Sequence, residues 1–243
     1  MTGMTKISTK IWRPALTAFN EKVESAYLRR DAYIAKLLES EIAHLENEIP
    51  LANSAAAAKF IADRLSELDR DTLTLAIPSS LSSKITKLCR TRNIVRDAFF
   101  NRLIFLLAAT PQQIDTLFFD GTSEWHRHVQ VTIGPYDIAG NDVYPLSSPI
   151  DPFWAIRLGL ECYGEDAPIS EDSKNAGGDT KGLIENFGDY QLQDGIYSTT
   201  FKGGWTDGTL IGGLNCWLPD WLLPNSEESA RRKQRLDELA LNL

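Results

Sequence analysis

The stretch that decides the fold is residues 72–109, with the sequence TLTLAIPSSLSSKITKLCRTRNIVRDAFFNRLIFLLAA. Leu73, Leu75 and Ile77 alternate with threonine and alanine, which is the period of a strand with one buried face. Pro78 ends that strand, because proline has no amide hydrogen for a strand ladder. The sequence therefore predicts a short strand at the start of this stretch.

Two helices are predicted to follow the strand. Leu81, Ile85 and Leu88 recur at helical spacing, and the polar residues at 91–93 interrupt the pattern. A second helix begins at about Val95 and is apolar around nearly its whole circumference, so it must be buried. A unit of this size cannot bury such a helix alone, and a second copy or another layer has to cover it.

A second copy of the pattern lies earlier in the chain. Residues 30–38, RDAYIAKLL, match residues 96–104, RDAFFNRLI, with four identical positions, and the two segments are 66 residues apart. Upstream of the first segment, Ile7 and Ile11 lie at even spacing, as in a strand, and a helical pattern follows them. We interpret the two segments as tandem units, although any two amphipathic helices share part of such a pattern.

The prolines of the two units stand at different distances from the matched arginines. Pro14 precedes Arg30 by 16 residues, whereas Pro78 precedes Arg96 by 18 residues. Aligned on these prolines, the turns between the two helices are predicted to differ in length by two residues.

The order of strand, proline, helix, turn, arginine and helix resembles the ribbon-helix-helix fold of DNA-binding proteins. The resemblance implies that two units pair and that their strands form an antiparallel ribbon, which enters the major groove. It also implies that the start of the second helix contacts the phosphate backbone. Members of this family act as repressors or as the antitoxin half of toxin–antitoxin pairs.

The predicted fold class is α+β, with a mainly helical N-terminal region that holds the two ribbon-helix-helix-like units and a mixed α+β domain at the C-terminal end. The first unit spans residues 1–50, a linker helix spans 51–71, and the second unit spans 72–109. Residues 110–243 form an acidic α+β domain that is expected to bind a partner or a ligand.

The candidate DNA-binding residues are outward-facing strand side chains, which would contact base edges, and basic side chains, which would contact phosphate. They are Lys6, Ser8, Lys10, Arg30, Lys36, Thr72, Thr74, Arg92, Arg96 and Arg102.

The register of the first strand is left open by the sequence. With Ile7 and Ile11 inward, Trp12 faces the groove together with Lys6, Ser8 and Lys10; the alternative register favours Thr9 as a base-contacting residue, since a slip of one residue exchanges the faces. Ala76 departs from the polar side chains usual in the family's strand. A ribbon that serves only dimerisation or docking therefore remains an alternative.

Charge divides the chain into two parts. The net charge is −8, but residues 1–110 carry 16 Lys and Arg against 12 Asp and Glu, whereas residues 111–243 carry 9 against 21. A nucleic-acid-binding module joined to a separate effector module typically shows such asymmetry.

Several function classes lack a sequence signal. No apolar run is long enough to span a membrane and the N-terminus lacks a signal-peptide core, so a cytoplasmic protein without membrane contact is expected. His126 and His128 lack a third metal ligand, and the glycine-rich segment 203–213 lacks the pattern of a phosphate loop. No cofactor, metal or catalytic residue is predicted.

The sequence thus favours a DNA-binding transcriptional regulator of the repressor or antitoxin type. Its expected partners are double-stranded DNA, a second copy of the chain and a protein bound by the acidic C-terminal domain. One alternative is a nucleic-acid-binding or scaffolding subunit of a bacterial defence or mobile-element nucleoprotein complex. Another is an enzyme with an unrecognised C-terminal site.

Overall fold

The computed structural model of the protein describes residues 3–49, 52–118, 151–154, 156, 157, 160, 192–201 and 214–218. It therefore covers nearly all of the N-terminal region and short segments of the C-terminal part. His126, His128 and the glycine-rich segment 203–213 lie outside the described residues.

Two strands from distant parts of the N-terminal region form one ribbon. Strand β1, Met4–Trp12, pairs antiparallel with β2, Arg70–Pro78. The register places Met4 opposite Pro78 at one end and Trp12 opposite Arg70 at the other. Both predicted strands are confirmed, and each has its mate within the same chain.

Helices follow both strands. The sequence predicted a pair of helices after each strand and a linker helix over 51–71, which the structure shows over Ala55–Ser66, and six helices are described in this region. They are α1 (Arg13–Ser25), α2 (Arg30–Glu48), α3 (Ala55–Ser66), α4 (Ser79–Thr91), α5 (Arg96–Ala108) and α6 (Pro111–Phe118). A strand pair followed by helix pairs is compatible with the ribbon-helix-helix arrangement.

The two units repeat at a constant interval of 66 residues. This interval separates the first residues of β1 and β2, of α1 and α4, and of α2 and α5. The turns correspond as well, because Tyr27 and Asn93 have positive φ angles of 55° and 50°. In each turn the next amide, of Leu28 or Ile94, donates to a carbonyl five residues earlier, as in a Schellman motif.

The predicted difference of two residues between the turns is wrong, because the two prolines are not equivalent. Pro14 lies in the first turn of α1, whereas Pro78 is the last residue of β2. At the constant interval, the residue equivalent to Pro78 is Trp12, the last residue of β1. Both positions use an extended backbone to leave the strand, and proline adopts it as readily as tryptophan.

The units interlock. Helix α5 packs against β1 and α1 of the first unit, and α2 packs against β2 and α4 of the second unit. Leu73, Leu75 and Ile77 of β2 and Ile11 of β1 point into the core between these helices and are essentially inaccessible to water. Each unit therefore covers the apolar second helix of the other, which is why neither can form a core by itself.

Segments of the C-terminal part cover the remaining side of α5. Strands β3, Leu192–Asp194, and β4, Thr199–Phe201, form a short antiparallel hairpin. The turn of this hairpin brings Tyr197 against Phe99 of α5, with ring centroids 5.6 Å apart. Within the part of the chain that the structure describes, no helix combines the length and the apolar character needed to span a membrane.

Candidate nucleic-acid interface

The central part of the outward side of the ribbon is mainly polar, and we call it the ribbon face; the exposed Met4 lies beyond it at one end. Alternation along the strands turns the inner side chains into the core and leaves these residues accessible to water, with Ala76 half-buried. The ribbon face consists of Lys6, Ser8, Lys10, Thr72, Thr74 and Ala76. The five polar members are sequence-predicted candidates, and their contact with DNA stays a prediction.

The register of β1 excludes two of the residues that the sequence allowed on this face. Thr9 is 3% exposed and donates a 2.8 Å hydrogen bond from its hydroxyl to Asp97 Oδ1, so the register that favoured it is wrong. Trp12 is 7% exposed and packs on Phe105, with ring centroids 6.5 Å apart. The prediction that Trp12 faces the groove is also wrong, because β1 ends at Trp12 and the indole ring packs in the core.

Cross-strand hydrogen bonds order the ribbon face. Ser8 Oγ and Thr74 Oγ1 are 3.1 Å apart at the centre, and Lys10 Nζ donates to Thr72 Oγ1 at 2.5 Å. No carboxylate belongs to the ribbon face as defined, so its two lysines make it positively charged. The face offers ammonium and hydroxyl groups in a fixed arrangement.

The two matched arginines reach the outer edges of the ribbon. Arg96 Nη2 donates to Ser8 O at 2.9 Å, and Arg30 Nη2 donates to Thr74 O at 3.1 Å. Each arginine thus contacts the strand of the other unit, at equivalent positions. Arg30 also donates from Nε to Asp31 Oδ1 at 3.2 Å. A guanidinium has five N–H donors, so these bonds position Arg30 and Arg96 and leave further donors beside the ribbon.

Three further polar residues, which the sequence did not assign to the site, hold the same strand edges. Asp31 Oδ2 accepts from Ala76 N at 3.0 Å, and Asp97 accepts from Thr9 as described above. Asn101, 1% exposed, donates to Lys10 O at 2.7 Å and accepts from Trp12 N at 2.8 Å. A polar pair, Asn101 and Arg102, within a largely apolar helix was the available signal.

The remaining basic candidates have different environments. Lys36 is exposed and forms a 2.9 Å ion pair with Glu39, and Arg92 is half-buried at the end of α4. Arg102 is only 2% exposed, and its guanidinium donates 2.8 Å hydrogen bonds to the carbonyls of Ile196 and Trp217. The prediction that Arg102 binds DNA is therefore wrong, because its guanidinium is used to attach the C-terminal segments to α5.

The helices that carry the matched arginines start without a side-chain cap. The N-cap residues of α2 and α5 are Arg29 and Val95, and neither makes a capping hydrogen bond. The first amides of a helix have no partner inside it and carry partial positive charge, which favours a phosphate group nearby.

A second polar cluster lies away from the ribbon face and attaches the C-terminal segments to α2. Arg157 donates to Glu41 Oε2 and Glu48 Oε1 at 2.8 Å and to Asp151 Oδ1 at 2.6 Å. Tyr197 Oη donates to Glu41 Oε2 at 2.6 Å. We call these five residues the Arg157 cluster.

Burial changes the acid–base properties of the Arg157 cluster. Desolvation raises the pKa of Glu41, which is fully buried, and the opposing effect of Arg157 is smaller. Burial and the neighbouring Glu41 raise the pKa of Tyr197, so its hydroxyl stays protonated and donates to the carboxylate. The hydrogen bonds of the cluster link the C-terminal segments to α2. Among the described residues, no group of three or more His, Cys, Asp or Glu side chains is arranged to hold a metal ion.

Comparisons with protein-family models, curated proteins and solved structures found no match to this chain. The likeness to the ribbon-helix-helix arrangement therefore depends on the order, pairing and packing of the elements described above.

Proposed function

We propose that the N-terminal region binds double-stranded DNA with the ribbon face in the major groove, and that the protein is a transcriptional regulator of the repressor or antitoxin type. The observation that carries this proposal is the ribbon itself. Two paired strands, backed by a helical core, present ammonium and hydroxyl groups on the ribbon face, none of whose six residues has a carboxylate; the exposed Asp71 of β2 lies beside the face.

Size and chemistry of the ribbon face support the proposal. The major groove is about 12 Å wide and admits a two-stranded ribbon. Lysine donates hydrogen bonds to guanine O6 and N7, and serine or threonine hydroxyls bond to either kind of base pair. Lys6 and Lys10 supply the first group, and Ser8, Thr72 and Thr74 supply the second.

Groups that suit the DNA backbone flank the ribbon on both sides. Arg30 and Arg96 stand at its two edges, and each begins a helix with an uncapped N-terminus. Phosphate contacts of this kind fix the position of a protein on the duplex without selecting a sequence. In this proposal Lys36 and Arg92 add further, more distant phosphate contacts.

The proposal assigns partner binding to the acidic C-terminal part. Its described segments contact α2, α5 and the linker, for example through the reciprocal hydrogen bonds between Asn53 and Asn215. These contacts leave the ribbon face exposed, so a protein partner and DNA have separate surfaces available.

The experiment is a fluorescence-anisotropy titration with duplex DNA from the region upstream of the protein's own gene, at two salt concentrations. Lys10→Ala should weaken binding about tenfold to a hundredfold, the usual cost of a lost lysine–guanine contact. Lys59→Ala removes the same charge from α3, where Lys59 is exposed and paired with Asp63, and should change binding little. Equal effects of the two substitutions would contradict a role for the ribbon face.

A second candidate function is a scaffolding subunit whose ribbon contacts protein. The side chain of Ala76 has no hydrogen-bond donor, and Ser8 and Thr74 bond to each other across the ribbon face, which favours contact with an apolar or weakly polar partner surface. Such a subunit should bind DNA weakly and without selectivity. A DNA-binding regulator should instead lose affinity steeply as salt rises. The slope of log binding constant against log salt concentration should be about −0.9 for each phosphate contacted.

A further inference from the structure

The ribbon has a local two-fold axis at its centre. Ser8 lies opposite Thr74 in the ladder, and these two residues are also equivalent in the 66-residue repeat. An axis between them therefore exchanges β1 with β2. The same axis exchanges the hydrogen bond from Arg30 to Thr74 O with the hydrogen bond from Arg96 to Ser8 O.

The side chains of the ribbon face do not obey this symmetry. The axis relates Lys6 to Thr72, whereas in a symmetric ribbon both positions would carry the same residue. It likewise relates Lys10 to Ala76. Both lysines of the ribbon face thus lie on β1, and β2 contributes only hydroxyl and methyl groups.

We propose that the ribbon face recognises a non-palindromic DNA site with two guanines on the same DNA strand, an inference that rests on the proposed function. Two strands of a ribbon are about 4.8 Å apart, and the major groove is about 12 Å wide. Within the groove, β1 is therefore nearer to one DNA strand and β2 to the other. The lysines of β1 meet guanine edges on the nearer strand, and Lys10 exchanges its hydrogen bond to Thr72 Oγ1 for one to the base.

The spacing of the two lysines sets the spacing of the guanines. Lys6 and Lys10 are four residues apart on an extended strand, which is about 13 Å at 3.3 Å per residue. Successive base pairs rise about 3.4 Å along the DNA axis, and the groove is inclined to that axis, so the two guanines are separated by at most about four base-pair steps. On the other side, Thr72, Thr74 and Ala76 offer methyl groups, which suit thymine methyl groups.

Selection from a pool of randomised duplexes with the full chain tests this inference. The expected motif is non-palindromic, with two guanines at most about four steps apart on one strand, and replacing either guanine should weaken binding about tenfold or more. A palindromic motif would overturn the inference and leave the proposed function standing. Failure to retain any duplex above the level of Lys6→Ala/Lys10→Ala would overturn both.

Exchange of the ribbon face between the strands gives an independent test. The variant Lys6→Thr/Lys10→Ala/Thr72→Lys/Ala76→Lys moves both lysines to β2, which the two-fold axis superposes on β1. It should select the same motif but bind it in the reverse direction. A DNA-cleaving chelate on Tyr27→Cys, at an exposed turn of the first unit, should then cut at the opposite end of the motif; cutting at an unchanged end would overturn the inference.

A variant with a symmetric face is the matched control. Thr72→Lys/Ala76→Lys keeps the lysines of β1 and adds their two-fold equivalents on β2. It should select a palindrome, and the chelate should cut at both ends. A motif identical to that of the unmodified chain would mean that the lysines do not determine the site.

Discussion

Tyr27 and Asn93 occupy equivalent turns with the same backbone conformation, but only asparagine is suited to it. Non-glycine residues with positive φ are strained, and asparagine is strained least. Asn93 also donates hydrogen bonds from its side-chain amide to the carbonyls of Asn53 and Ser54. Tyr27 is 96% exposed, so its ring gains little from packing in return for the strain.

We predict that Tyr27→Gly stabilises the protein by about 0.5–1 kcal/mol, because glycine adopts a positive φ without strain and this gain exceeds the added entropy of the unfolded chain. Urea unfolding measures the change. Tyr27→Ala is the matched control, since it removes the ring and keeps the strained Cβ. Equal unfolding free energies for the two variants would mean that the backbone at this turn is not strained.

Asn101 and Arg102 are the buried polar residues of α5, and each has a separate structural role. Asn101 pairs with the edge of β1 through Lys10 O and Trp12 N. Arg102 pairs with carbonyls of the C-terminal segments and lies over the ring of Phe118, 5.2 Å from its centroid. A buried polar group needs such partners, since one left unsatisfied costs about 1–3 kcal/mol.

At the scale of the elements, α2 and α5 are equivalent in the repeat but differ in their surroundings. Lys36 on α2 is exposed, whereas its counterpart Arg102 on α5 is buried. The C-terminal segments cover this side of α5, and they attach to α2 further along the helix, at Glu41 and Glu48. The internal symmetry of the two units therefore ends where the C-terminal segments begin.

The Arg157 cluster predicts how stability depends on pH. Burial raises the pKa of Glu41 above its ordinary value of 4.5, so folding takes up a proton at this residue. Its contribution to stability is fully present below about pH 4.5 and is lost as the pH rises through the folded-state pKa. Glu41→Gln removes this titration. The unfolding free energy of the variant minus that of the unmodified chain should therefore increase between about pH 4.5 and about pH 7.5.

Urea unfolding at several pH values measures this difference. The control is Glu46→Gln, which removes an exposed carboxylate from the same helix without contact with the cluster. A difference that moves in the opposite direction would mean that the attraction of Arg157 outweighs the desolvation of Glu41. Arg157→Met should be strongly destabilising by comparison, about 3–5 kcal/mol, because it leaves three carboxylates without their cation.

At the scale of the whole molecule, the N-terminal region depends on a C-terminal cover. Every residue of α5 from Ala98 to Ala108 is buried, including the side that the two units leave open. Tyr197 is fully buried against Phe99, and residues 196–198 and 214–218 complete the cover. Without them a large apolar surface would face water.

We predict that a chain ending at residue 109 is less stable than the full chain and self-associates. Each large apolar side chain uncovered costs about 1.5–3 kcal/mol, and an exposed apolar patch on a helix promotes association. Light scattering after gel filtration and thermal unfolding measure the two effects, with the full chain at equal concentration as the reference. A monomeric short chain with an unchanged melting temperature would contradict the prediction.

The elements of the N-terminal region were predictable because their signals are local. Alternation predicts the strands, helical spacing predicts the helices, and the repeat of arginine and aspartate at 30–31 and 96–97 locates the two second helices. Alternation also places Lys6, Ser8, Lys10, Thr72 and Thr74 on one side of the ribbon, provided that the register is known. The pattern is thus informative about which residues share a face, and less so about which face is exposed.

The sequence by itself determined the strands, the helices, the tandem repeat and the polar character of the ribbon face, since each depends on residues close together in the chain. Only the tertiary structure decided that the two strands pair within one chain, that Thr9 and Trp12 turn inward, and that Arg102 is buried. Those outcomes depend on partners about 60 to 115 residues away, such as Thr74 for Ser8 and Trp217 for Arg102. A spacing pattern carries no information about such distant partners, because they are selected by the packing of the whole core.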